Sequence, residues 1–264
     1  MATKKRLQEQ VQSFAEVERD AAQILEPELR EHGLLNERVF NAIGDAANLA
    51  AELPLSQVSQ ARKVATVLLL RMRDDLRCTG LLALRGYQLQ ACSLVASIYE
   101  AAFAIAAIDS DDDLAQEWID HDDPNHPFRQ ALTVTEMAFR KLGIPDPEKH
   151  AARRYLVYRQ LCLAKHLNPV FQRQRGLKLR GHQVTVKSGP DTSEEGVREA
   201  WFALEHAAGL GFVAIASFVQ NHVPAKSRPA LIKKLKGIEA DVSSLGAKAQ
   251  QRWGTEPPFK KWEI

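Results

Sequence analysis

The chain has 264 residues and 45% hydrophobic content, enough to bury one sizeable core, which excludes disorder over most of its length. Its 35 Lys and Arg stand against 33 Asp and Glu, so the net charge is only +2. Total charge therefore cannot attract a polyanion, and any such attraction has to come from how the charges are distributed.

Apolar residues recur at helical spacing, and strand-like alternation is nearly absent. This pattern predicts an all-α fold: a multi-helix bundle in a single domain covering 1–264, with the N-terminal helices (1–54) as a peripheral extension. A first amphipathic segment runs from about Leu7 to Glu31, where Pro27 is expected to bend it. A second covers Glu37 to Leu53 and stops at Pro54. A third starts at Ser56 as N-cap and runs to Gly86. The fourth, Tyr87 to Ile108, is apolar nearly all round and is expected at the centre of the bundle. Only Glu100 interrupts it. An ionised carboxylate in that setting needs a partner, for which Arg77, Arg159 or a tyrosine such as Tyr155 are candidates, or else it serves a site.

Between Asp109 and Asp123 there are eight acidic residues and no basic one. The stretch lacks the glycine and final ligand of a calcium loop, so its acids are read as favouring the start of a short helix, Leu114 to Ile119. His121, Asp122, Asp123 and His126 follow in a polar loop without the scaffold a metal site needs, and no metal is expected. Further helices span Thr133 to Leu142 and Pro147 to His166. From Lys149 to Pro190 the chain carries ten Lys or Arg and no Asp or Glu. A block of that kind attracts polyanions, and Arg153, Arg154, Lys165, Arg173, Arg175, Lys178 and Arg180 are the candidate nucleic-acid contacts. The other reading is that the acidic block lies against it, within the monomer or across a dimer, and steers assembly.

The alternation from Gly176 to Val186 is the one hairpin expected. Thr192 to Glu195 fits a capping box for a helix running to about Asn221. A basic amphipathic helix follows, Ala225 to about Gln251, and the tail 254–264 is expected to be loosely held. Cys78, Cys92 and Cys162 show no metal or redox spacing and read as reduced core residues. Polar Gln8, Glu9 and Gln10 stand where a signal peptide needs an apolar run, so a cytoplasmic protein without membrane attachment is expected.

On the helix ending near His166, Arg159 and His166 are two turns apart, which puts both on one face about 10 Å apart. A guanidinium that grips a phosphate and an imidazole that titrates near neutrality suffice to cleave an RNA backbone without metal. Arg175 and His182 repeat the spacing, but across Gly176 and Gly181, where no helical face is defined.

The run Arg159-Gln160-Leu161-Cys162-Leu163-Ala164-Lys165-His166, on a late helix of an all-α bundle, resembles the motif of the HEPN superfamily. Many members of that superfamily are ribonucleases of toxin–antitoxin and phage-defence systems that act as dimers. The resemblance implies a metal-independent endoribonuclease with Arg159 and His166 at the scissile phosphate, Glu100 orienting His166, and a homodimer. It also implies single-stranded RNA as substrate and an antitoxin or defence component as possible protein partner. A second resemblance, on Arg73-Asp74-Asp75-Leu76, Ser97-Ile98-Tyr99-Glu100 and Tyr158-Arg159-Gln160-Leu161 with His166, is to a bacterial all-α family. It covers roughly Val58 to Asn221 and bears on fold rather than activity.

The competing reading is a non-enzymatic helical interaction module whose basic block binds a protein or nucleic acid. Small-molecule binding around Glu100 ranks third, because no phosphate loop or cofactor motif is present, and no cofactor is expected.

Overall fold

A computed structural model describes residues 13–52, 58–165, 177–180, 183–186, 189–256 and 258–259. They form an all-α bundle of α1 (Phe14–Ala51), α2 (Gln60–Leu84), α3 (Gln88–Ile108), α4 (Asp112–Asp120), α5 (Ala131–Lys141), α6 (Pro147–Lys165), α7 (Glu194–His222) and α8 (Arg228–Trp253). Between α6 and α7, Leu177–Arg180 and Gln183–Val186 pair antiparallel as β1 and β2, with Leu177 opposite Val186.

The first two expected segments are joined: α1 is one helix from a Ser13–Glu16 capping box through Pro27 to Ala51. Its buried stripe of Leu25, Leu29, His32, Leu35, Val39, Ile43 and Ala46 runs past the proline unbroken. Pro27 and Gln23 sit on the solvent side, where water can satisfy the carbonyl that a proline leaves unbonded. Nor is α1 peripheral, since it packs on α2, α7 and α8. A Cβ at Gly211 of α7 would stand 2.5 Å from Val39 Cγ1, so the two backbones approach only because Gly211 has no side chain.

Two caps also differ from expectation. Ser59 rather than Ser56 caps α2, its Oγ accepting from Arg62 N, and Ser193 rather than Thr192 caps α7, accepting from Gly196 N. Ser56 itself lies outside the described residues. The α2–α3 junction turns at Gly86, whose φ of +84° suits glycine alone at low cost.

The apolar helix α3 occupies the centre, packed by α2, α4, α5, α6 and α7, with Ile98, Tyr99, Phe103 and Ile105 fully enclosed. By length and composition α3 and α7 could each cross a membrane, but most of each apolar window is buried inside the bundle. The core is continuous from Leu25 to Phe259, so the tail expected to be loose places Phe259 in the interior, 5.8 Å from the Phe202 ring. Of the three free cysteines only Cys92 is buried. Cys78 is exposed and Cys162 half-buried, which corrects their reading as core residues.

Where α3 ends, Asp109 is itself buried. Its Oδ2 accepts from Ser217 Oγ at 2.7 Å and Asn221 Nδ2 at 2.6 Å, and His222 Nε2 lies 2.8 Å from its Oδ1. The first member of the acidic block is thus a polar clamp between α3 and α7 rather than part of a charged surface.

Candidate functional site

The rest of the acidic block is also used locally. Asp111 caps α4 through Leu114 N, and Asp112 accepts from Ala61 N of α2. Glu117 pairs with Arg129. His126 Nδ1 lies 2.7 Å from Asp123, and His121 Nε2 lies 2.9 Å from the His126 carbonyl. Among the described residues no ion pair joins 109–123 to the basic block, and no group of three metal-ligating side chains forms.

Arg153, Arg154 and Arg159 are exposed, and none has a carboxylate within ion-pairing distance among the described residues. Lys165 differs. Its Nζ donates to Glu100 Oε1 at 2.9 Å, and Tyr158 Oη donates to the same oxygen at 2.6 Å. Glu100 is therefore on the solvent-facing edge of α3; its partners are a tyrosine, as expected, though Tyr158 and not Tyr155, and Lys165 in place of Arg77 or Arg159. Its helix packs α6 along one side and leaves that carboxylate at the open margin, so the expected cost of deep burial does not arise.

Tyr158 begins an aromatic ladder that enters the core. Tyr155 stacks on it at 5.6 Å, Tyr99 follows at 4.8 Å, and Phe103 lies 4.6 Å beyond. Tyr99 Oη shares a hydrogen bond of 2.8 Å with Thr135 of α5. Burial pushes the Tyr99 phenol up to about 12, and burial, reinforced by the bond to Glu100, raises that of Tyr158 as well. Burial likewise raises the Cys162 thiol. All three stay protonated at neutral pH, so they donate or pack and do not act as nucleophiles.

Beside the ladder a cleft of about 730 Å³ opens between α2, α3, α4, α5 and α6. Trp118, Phe128, Tyr155 and Tyr158 supply its aromatic surface, and Arg71, Arg129 and Arg159 its cations. Arg129 lies over the Phe128 ring at 5.2 Å while held by Glu117, and Arg71 Nε is 3.8 Å from Asp75. Asp75 is mostly enclosed, and desolvation raises its carboxyl.

Of the site residues expected from sequence, the fold brings Arg159, Glu100 and Lys165 to the same side of α3 and α6; Arg153 and Arg154 are exposed on α6, and Arg154 acts electrostatically on Glu205 of α7. Lys178 and Arg180 fall in β1, opposite Thr185 and Gln183. His166, Arg173 and Arg175 lie outside the described residues. Sequence reasoning missed Trp118, Phe128, Arg71 and Arg129 as a group, because they come from two separate helices and a loop. The one local signal was the Tyr155/Tyr158 spacing, which puts both rings on one helical face. Comparison with protein-family models, with curated proteins and with solved structures finds no match.

Proposed function

We propose that the protein binds single-stranded RNA along α6, in the manner expected of a HEPN-like protein, with Arg159 as its central phosphate contact. The observation that carries this reading is that Arg153, Arg154 and Arg159 are exposed beside an aromatic cleft and, among the described residues, none has a carboxylate within ion-pairing distance, while Glu117 is held by Arg129. Unpaired guanidiniums next to exposed rings are what a flexible polyanion with stackable bases requires. In the ribonuclease form of this reading Arg159 neutralises the phosphate and His166, one residue beyond the end of α6, moves protons. Two copies of the chain would then meet across this face.

The test is direct. Single-stranded RNA should bind with an affinity that falls steeply as salt rises, since each phosphate contact releases counterions. Cleavage should persist in EDTA and fall by roughly 10²- to 10⁴-fold in His166→Ala while binding stays intact. Arg159→Lys should also lose cleavage, because a point charge does not reproduce a planar grip. No binding at low salt overturns the reading.

A second reading, a protein-interaction module, is favoured by Leu156. It is 59% exposed on α6 between Arg153 and Arg159. An apolar side chain flanked by arginines is typical of the centre of a protein contact. Binding of RNA that is unchanged in Leu156→Asp, together with loss of self-association, would separate the two roles of this face.

A further inference from the structure

We propose that the cleft between α2, α3, α5 and α6 is a nucleotide pocket, in which the aromatic surface stacks a nucleobase and Arg159 receives the attached phosphate. This rests on the RNA reading only for the source of the nucleotide, since one unit of a strand and a free mononucleotide present the same chemistry.

Its volume, about 730 Å³, is within the range of roughly 300–1,000 Å³ that small-molecule sites occupy. Trp118, Phe128, Tyr155 and Tyr158 line the cleft and are only half-buried; Tyr158 is stacked between Tyr155 and Tyr99 and Arg129 lies over Phe128, so Trp118 and Tyr155 are the rings left to meet a base. Such rings accept any base by stacking, because every base has a π-face. Tyr155 is held by its stack on Tyr158, and Tyr158 is fixed in turn by its bond to Glu100, so the wall is organised before a ligand arrives.

The charges of the cleft then set the orientation. Among the described lining residues Arg159 is the cation with no carboxylate within ion-pairing distance, whereas Arg129 is held by Glu117 and Arg71 faces Asp75. Asp75 and Glu100 repel a phosphate from their own parts of the wall. An anionic group therefore finds its one uncontested partner at Arg159, which stands one residue from Tyr158 and four from Tyr155 on the same helix. Ring and phosphate of one nucleotide can be met together by side chains of α6.

The full chain is titrated with AMP and GMP, and with ribose 5-phosphate and adenosine as controls lacking ring or phosphate, following Trp118 emission. Trp118→Phe assigns the signal, since Trp201 and Trp253 pack against each other between α7 and α8. Saturable quenching by both nucleotides is expected, with ribose 5-phosphate weaker by at least about tenfold. Arg159→Glu should weaken AMP by about tenfold or more and adenosine by less than about twofold. Tyr155→Ala should weaken AMP and adenosine alike. Both side chains reach the surface of the bundle, and matching thermal midpoints verify that the variants fold. Absence of ring-dependent binding at millimolar nucleotide, or AMP affinity unchanged in Arg159→Glu, overturns the pocket.

A single-stranded oligonucleotide that displaces AMP assigns the nucleotide to a strand. An oligonucleotide that fails to bind while AMP does leaves the pocket standing as a site for free nucleotide and removes the RNA reading instead.

Discussion

The two flanks of the bundle are both rich in basic residues, yet they use them differently. On the α8 flank Lys234 meets Asp45 at 2.6 Å, Lys248 meets Glu31 at 2.5 Å, and Arg38 pairs with Asp241. Arg252 bridges Glu28 at 2.7 Å and Glu194 at 2.9 Å, and also lies 4.6 Å over the Trp253 ring. There the cations stitch α8 to α1 and α7, and their field is cancelled where it arises. On the α6 flank Arg153, Arg154 and Arg159 have no such partners among the described residues. A run of basic residues along a sequence is thus a poor guide to free positive potential. What counts is whether the fold brings carboxylates to meet it: on α6 Lys165 is met by Glu100, while these three arginines are not met among the described residues.

Both flanks rest on α3, so the largest effect on either comes from its centre. Ile105 is fully enclosed. Ile105→Asp puts an unpaired charge there and should cost about 3–5 kcal/mol, a large share of the roughly 5–15 kcal/mol that holds a domain folded. Insoluble protein, or a denaturation midpoint lowered accordingly, is the expected result. Soluble protein that unfolds cooperatively at the normal midpoint would remove α3 from the centre of the fold.

The next effect belongs to the α8 flank and depends on pH. His32 is buried against the Trp201 ring at 4.3 Å, and among the described residues neither of its ring nitrogens has a hydrogen-bond partner. Burial holds its pKa down to about 4, against 6.5 for a free imidazole. The unfolded chain therefore binds one more proton between those values. The resulting stability is fully present above about pH 6.5 and is lost as pH falls toward 4, by roughly 3 kcal/mol in all. His32→Gln should show a shallower decline of thermal midpoint over that window, and an unchanged decline would mean that water reaches the ring.

The general plan of the fold was legible in the sequence because apolar periodicity is a local signal: α3, α6 and α7 fall close to where their stripes begin and end. The division expected between the first two segments did not appear: residues 14–51 form one helix, because Pro27 lies on its solvent side, where water can partner the freed carbonyl. Arg159 and the Tyr155/Tyr158 pair were visible on one helix, whereas the cleft they border was not. Trp118, Phe128 and Arg71 reach it from α4, the α4–α5 loop and α2, and nothing in their spacing brings them together. Glu100 was misread for a related reason. Hydropathy showed an apolar helix, but not which edge of that helix α5 and α6 leave uncovered.

A smaller effect tests whether the α8 pairs hold the flank together. Arg252→Ala removes two ion pairs and the contact with Trp253, while leaving no buried charge, because Glu28 and Glu194 both reach solvent. A loss of about 1–2 kcal/mol is expected, since partly exposed pairs are worth little singly and more as a network. Chemical denaturation should show it, and the loss should shrink in 1 M salt, which screens exposed charges to about 3 Å.

The smallest effect on stability should come from the other flank, and it is the one that bears on function. Reversing Arg153, Arg154 and Arg159 together to Glu breaks no ion pair among the described residues, so the denaturation midpoint should move by no more than about 0.5 kcal/mol. Removing three phosphate contacts should nevertheless reduce the log–log salt slope of RNA binding by about two units for single strands and abolish measurable affinity near physiological salt. If the triple reversal instead destabilises the fold as much as Arg252→Ala does, these arginines have partners on this flank, and the contrast between the two flanks disappears. If the fold is untouched and RNA binding is also untouched, the potential on α6 is free but addressed to a protein, and Leu156 becomes the residue around which that contact is organised.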